Sequence, residues 1–172
     1  MSIHLGEHSY AGQITNSWDI EMHVGKYTSI ASGLILWGND HPMGENVSTY
    51  PFKEQFHLDY TPCTKGGKIE IGSDVWVGMM VSIREGVTIH DGAIIGAFAV
   101  ITKDVAPYSI VVGNPQRYAN PRFWNPEKLG LSDHIELIEK LLNIKWWDWP
   151  ESVIRERVPE MKDVRTFVEK YG

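Results

Sequence analysis

The chain has 172 residues, 42% of them hydrophobic, with a net charge of −6. That is enough for one domain with a real core plus a small appendage, and it shows no basic run of the kind a nucleic-acid binder carries. One cysteine, Cys63, excludes an intrachain disulfide and a Cys-rich zinc site, and no metal centre is expected.

The N-terminal segment MSIHLGEHSY lacks the charged start and apolar core of a signal peptide, and no apolar run approaches the ~18 residues of a membrane span. A soluble cytoplasmic protein with neither a nucleic-acid nor a membrane partner is therefore expected. From the N-terminus, Leu5–Tyr10 fits a six-residue template loosely, and Val24–Ser29 and Ile30–Ile35 fit it well. The template becomes strict later. Ile71, Val77, Ile83, Ile89, Ile95 and Ile101 recur every six residues, and Val75, Val81, Val87, Ala93, Ala99 and Val105 keep the same period. A helix would repeat its apolar face every three or four residues and a simple strand every two, so a period of six predicts a parallel β-helix. Three short strands close one triangular coil of about 18 residues. Ile71 should then stack on Ile89, Val77 on Ile95 and Ile83 on Ile101, filling the prism with β-branched side chains.

The period breaks between Ile35 and Ile71, where a stretch from about Trp37 to Lys68 is rich in Gly, Pro, Asn and aromatics. Such an excursion from a compact fold is usually functional. After Gly113, Asn114-Pro115 and Asn120-Pro121 read as breakers. A helical tail follows. Ile135, Ile138, Leu141 and Leu142 share a face, with Ser132 or Asp133 as a cap. Trp149-Pro150-Glu151 starts a second helix, and Val164, Phe167, Val168 and Tyr171 mark a third. We expect residues 1–115 to form the β-helix with the inserted loop at about 37–68. Residues 116–172 should pack on it as a structural extension.

The stretch IEIGSDVWVGMMVSIREGVTIHDGAIIGAFAVITKDVAPYSIVVGNP resembles the left-handed β-helix acetyltransferases. With HPMGENVSTYPF before it and LLNIKWWDWPESVIRE after it, the chain is similar to their xenobiotic acetyltransferase subfamily, over roughly residues 20–160. The resemblance implies a left-handed coil, a homotrimer with active sites between adjacent subunits, acetyl-CoA as cosubstrate, and direct transfer of the acetyl group to a small-molecule acceptor.

Deprotonating an attacking hydroxyl or amine near pH 7 needs a general base, for which neutral histidine is suited. His41 matches the family's catalytic histidine, with His57 as the fallback. By the same resemblance Trp76, Gly78, Ala97, Thr102, Lys103 and Arg117 are cofactor-binding positions. Ala97 would meet the pantetheine arm through its backbone, and Lys103 and Arg117 would meet phosphates. Tyr10 and Tyr50 are candidate acceptor contacts. His8 could line a cleft, His90 reads as a surface residue, and Cys63 as no nucleophile. Three departures bear on the acceptor: no Trp between His41 and Ser48, Met79 where sugar-acetylating relatives carry Ser or Gly, and a short segment before Val24. The short segment and the missing Trp favour a sugar acceptor, with an antibiotic hydroxyl (chloramphenicol or streptogramin A) as the alternative. A non-catalytic β-helix scaffold is the alternative of a different class.

Overall fold

A computed structural model describes residues 2–39, 41–42, 44–63, 66–123 and 131–172; Asp40 and Met43, beside His41 in the motif, lie outside the described residues. The chain climbs in coils of three strands. The first holds β1 (Ile3–Leu5), β2 (Tyr10–Ala11) and β3 (Ile14–Asn16). The second holds β4 (Glu21–Val24), β5 (Ser29–Ile30) and β6 (Leu34–Trp37). After an excursion carrying α1 (Phe52–Phe56), the third coil holds β7 (Lys68–Ile71), β8 (Trp76–Val77) and β9 (Ser82–Arg84). The fourth holds β10 (Thr88–Ile89), β11 (Ile94–Ile95) and β12 (Val100–Ile101), and β13 (Ser109–Val112) and β14 (Arg117–Pro121) follow.

Three sheets result, one per face of the prism, ordered β1-β4-β7-β10, β14-β13-β11-β8-β5-β2 and β12-β9-β6-β3. Coil-to-coil pairing is parallel, and the expected stacks are present: Ile71 on Ile89, Val77 on Ile95 and Ile83 on Ile101. The same columns run back across the break, with Val24 on Ile71, Ile30 on Val77 and Leu36 on Ile83. Ile83, Ile89, Ile95 and Ile101 are fully buried. Each such side chain contributes ~1.5–3 kcal/mol by leaving water. The period of six therefore sets both the strand length and the core.

The corners are made by single residues in the left-handed region, and few of them are glycine. Between the first and second faces stand Tyr27, Asp74, Gly92 and Tyr108, with φ of 57, 55, 69 and 50°. Between the second and third stand Gly33, Met80 and Phe98, with φ of 87, 56 and 63°. An L-residue adopts this region at a cost of ~1–2 kcal/mol. The cost is offset by hydrogen bonds to the adjacent coil. Tyr27 N–H donates to Glu7 O at 3.0 Å, Asp74 N–H to Lys26 O at 2.9 Å, Gly92 N–H to Ser73 O at 2.8 Å and Tyr108 N–H to Asp91 O at 2.9 Å. A polar seam lines the same corner. Thr28, fully buried, donates through Oγ1 to Gly72 O at 2.8 Å and accepts from Val75 N–H at 3.1 Å.

Past β13 the chain reverses, and β14 pairs antiparallel on β13, a strand that the proline signals hid. The tail forms α2 (Leu131–Ile144), a 3₁₀ turn (Trp146–Asp148), α3 (Glu151–Arg157) and α4 (Val164–Tyr171). Ser132 and Asp133, the expected cap, lie at the start of α2, and the residues just before it fall outside the described ones. Asp163 caps α4 by accepting from Thr166 N–H, and the backbone donors there hold its carboxyl below the usual range. The tail makes a second core in which Leu137, Leu141, Trp147, Phe167 and Val168 pack with Tyr108 and Tyr27. Two of the corner residues are thus what the tail seats on. Among the described residues no helix is long and apolar enough to cross a membrane.

Ile95 sits in the fully buried column of the second face. Ile95→Ala should lower the unfolding free energy by ~2–5 kcal/mol, because the stacked rungs on either side limit collapse into the cavity. Denaturant titration checks this, and an unchanged midpoint and slope would contradict the stacked core.

Candidate active site

The excursion leaves the third face after Trp37 and rejoins the first face at Lys68, so both ends lie at one corner of the prism. Glu85, at that corner one coil on, holds both. Its Oε1 accepts from Asn39 N–H at 3.0 Å, and its backbone N–H donates to Trp37 O at 2.8 Å. Gly38 and Gly67 press against the same side chain. A Cβ on Gly38 would come 2.7 Å from the Glu85 carboxyl carbon, and one on Gly67 would come 2.6 Å from its Oε2. Glu85 stands one place after a strand in an ordinary repeat, and only the coil register reveals its role.

Within the excursion an aromatic cluster supplies local order. Phe52 packs against Tyr50 at 4.9 Å and against Tyr60 at 5.4 Å between ring centroids. Tyr60 Oη donates to Ser48 O at 2.8 Å, and Ser48 Oγ accepts from Tyr50 N–H at 3.1 Å. This frame presents the Thr49 carbonyl to His41, whose Nδ1 lies 2.9 Å from it. A carbonyl oxygen only accepts, so Nδ1 carries the proton. The neutral ring then holds its lone pair on Nε2, the tautomer a general base requires. His41 is exposed while Pro42 beside it is buried, which anchors the backbone and leaves the imidazole at the surface.

A second group of candidate residues lies on the coil itself. Tyr10 and Trp76 share one column of the second face, with Ser29 between them, and they are 63% and 56% exposed. Gly78 and Ala97 are adjacent at the corner of the second and third faces. A Cβ on Gly78 would stand 2.6 Å from Ala97 N, so Gly78 lets the two coils approach and is itself buried. Met79, Met80 and Phe98 flank this corner as exposed apolar side chains. Thr102 and Lys103 follow β12 at the far edge of the third face, the corner from which the excursion emerges. Gln116, the chain neighbour of Arg117, binds the Thr102–Lys103 backbone. Its Oε1 accepts from Thr102 N–H at 2.5 Å and Lys103 N–H at 2.9 Å, and its Nε2 donates to Lys103 O at 3.1 Å. Gln116 carried no signal in the sequence. Lys103 and Arg117 are both exposed.

The remaining candidates lie elsewhere. His57 forms the left-handed C-cap of α1 and is exposed, Cys63 donates its N–H to Glu54 Oε1 at 2.9 Å, and His90 is exposed. His8 stacks on Tyr27 at 4.7 Å beside the tail. A further basic residue, Arg122, is structural: it donates to Asp74 Oδ2 at 2.8 Å and Gly92 O at 3.0 Å. Burial raises the Asp74 carboxyl against the opposing pull of Arg122, and burial likewise pushes the Tyr108 hydroxyl up.

Residues 68–103 match the model of the bacterial transferase hexapeptide (six repeats). The chain is 38% identical over 145 residues to a chloramphenicol acetyltransferase of Agrobacterium fabrum, covering 80% of this chain and 65% of that protein. It is 40% identical over 134 residues to a probable macrolide acetyltransferase of Lysinibacillus sphaericus, covering 73% of this chain and 68% of that protein. Among solved structures, a galactoside acetyltransferase in complex with coenzyme A is similar, with a TM-score of 0.58, 28% identity, and coverage of 75% of this chain and 59% of that one. The chain belongs to the hexapeptide-repeat acetyltransferases of the xenobiotic, or chloramphenicol acetyltransferase, kind, and its fold is their left-handed β-helix with C-terminal helices. It spans a little under two thirds of the length of the chloramphenicol acetyltransferases it matches.

Glu85→Ala removes the side chain that pins both ends of the excursion. Limited proteolysis within residues 38–67 should accelerate several-fold while the global unfolding midpoint stays nearly constant, because the excursion opens locally. Cleavage at the parent rate would contradict the clamp.

Proposed function

We propose that the protein transfers the acetyl group of acetyl-CoA to a hydroxyl of a small antibiotic-like acceptor, with chloramphenicol the first candidate, and that His41 is the general base. The observation that carries this is the His41–Thr49 hydrogen bond, which leaves Nε2 as the basic nitrogen. In the reaction, Nε2 takes the proton of the acceptor hydroxyl as its oxygen attacks the thioester carbonyl carbon. The tetrahedral intermediate then collapses, the C–S bond breaks, and the imidazolium returns the proton to the leaving thiolate.

The coil residues divide the cofactor between them. The strip from Trp76 and Gly78–Ala97 offers apolar surface and backbone groups to the pantetheine arm. Lys103 and Arg117, linked at the backbone through Gln116, offer charge-assisted hydrogen bonds to phosphates. Tyr10 and Tyr50 face the acceptor. His41 sits on an excursion from one corner, and Gly78–Ala97 occupies another. That separation supports a homotrimer in which the excursion of one copy completes the cofactor strip of the next. The exposed Met79, Met80 and Phe98 would be covered there.

The relatives favour an antibiotic hydroxyl over the sugar acceptor that the sequence departures suggested, since chloramphenicol acetyltransferases match 80% of this chain. A sugar hydroxyl is the second reading, supported by the likeness to galactoside acetyltransferase.

Free-thiol release from acetyl-CoA, measured with chloramphenicol, a macrolide and a galactoside, tests the acceptor. Turnover should be fastest with an antibiotic. Release with the galactoside alone would overturn that choice, and release with none would favour a scaffold. His41→Ala should lower the maximal rate ~10²–10⁴-fold. A variant keeping a third of the parent rate would refute the base assignment.

Lys103→Ala and Arg117→Ala should each raise the Michaelis constant for acetyl-CoA several-fold at low salt with little change in the maximal rate, because exposed phosphate contacts are worth only ~0.5–2 kcal/mol. Parent kinetics in both variants would make these residues surface charges.

A further inference from the structure

On the first face, one rung from where the excursion rejoins it, the coil register stacks three side chains of metal-ligating type. His4 of β1 and His23 of β4 are direct partners in the parallel ladder. Glu21 lies two residues before His23 and so projects from the same side of β4. The two imidazoles meet edge to face with 4.7 Å between centroids, and His23 Nε2 lies 2.6 Å from Glu21 Oε1. One donor atom from each of the three falls within 4.8 Å of the other two. His23 and Glu21 are 40% and 46% exposed at their side chains, so an ion reaches them without opening the core.

We propose that His4, Glu21 and His23 form a site for a divalent transition ion of the zinc type. In tetrahedral zinc sites with metal–nitrogen bonds of ~2.0–2.1 Å, ligand atoms stand roughly 3.3–3.5 Å apart. Here His23 Nε2 and Glu21 Oε1 stand 2.6 Å apart and all three donors lie within 4.8 Å of one another, so side-chain rotation on strands already fixed by the ladder would bring them to that spacing. Two imidazoles and one carboxylate suit zinc, nickel or copper more than magnesium or calcium. Three protein ligands leave one coordination position for water.

The surrounding charges are arranged compatibly. Lys68, the rung partner of Glu21, is ion-paired to Glu70, and Glu70 is in turn the rung partner of His23. The nearby cation is thereby neutralised. A bound ion would join the first coil to the second at β1, which among the described residues stands at the edge of its sheet. No local motif announces the cluster, because His4 and His23 are distant in sequence and meet only through the winding.

Chelator-treated full-length protein is titrated with Zn²⁺ by calorimetry and with Co²⁺ by visible absorption. We expect one ion per chain with Kd below ~20 μM and the strong d–d bands of a low-symmetry cobalt site. His4→Ala and His23→Ala should each weaken binding at least ~30-fold, and Glu21→Gln should weaken it with both histidines intact. His90→Ala, on an exposed histidine elsewhere, should bind as the parent does. Zn²⁺ should also raise the melting temperature of the parent but not of His23→Ala. Affinity weaker than ~20 μM in the parent, or binding that survives in the His4→Ala/His23→Ala double variant, would overturn the site.

Discussion

Everything in this molecule depends on one constraint: each coil hydrogen-bonds to the next with its strands in register, so that residues far apart in sequence become vertical neighbours. The ladder places Ile71 on Ile89 and Val77 on Ile95, which builds the core. The same ladder brings Gly78 against Ala97 and Glu85 beneath the roots of the excursion. Because each rung shares its backbone bonds with its neighbours, the position of a functional side chain is inherited from a column and needs no dedicated scaffold.

The corners convert that regular column into a platform with specific features. Left-handed residues such as Tyr27 and Tyr108 turn the chain and also supply the coil's share of the tail's hydrophobic core. The excursion is the opposite device, a departure from the column whose own aromatic packing aims the Thr49 carbonyl at His41. In the proposed mechanism, a base on the excursion and a cofactor strip on the rigid coil would separate the element that selects the acceptor from the element that holds acetyl-CoA.

The sequence was most informative where physics repeats. The period of six named the core columns and their stacking partners, since β-branched residues at that spacing match neither the helical period nor the alternation of a flat strand. It was less informative at the corners, because Asp74, Met80 and Phe98 hold positive φ without being glycine, the residue that usually signals it. Strand β14 was hidden behind two Asn-Pro pairs, and its antiparallel pairing is a tertiary choice that no local propensity announces. Of the candidate site, residue types and motifs drew attention to His41, Lys103 and Arg117. Glu85 and Gln116, which position the excursion and Lys103, have no such signature; their roles are hydrogen bonds to backbone groups in neighbouring segments. Acceptor choice was least legible, since in the proposed reading it rests on loop side chains that would be completed by an adjacent copy.

The proposed mechanism stands or falls on where the base meets the cofactor. A crystal structure of the protein with coenzyme A and chloramphenicol tests this most directly. It should show three copies about one axis, with the pantetheine arm along Trp76, Gly78 and Ala97. His41 Nε2 of an adjacent copy should lie within ~2.6–3.2 Å of the acceptor hydroxyl. A cofactor bound away from that strip, or an acceptor hydroxyl out of reach of every His41, would contradict it.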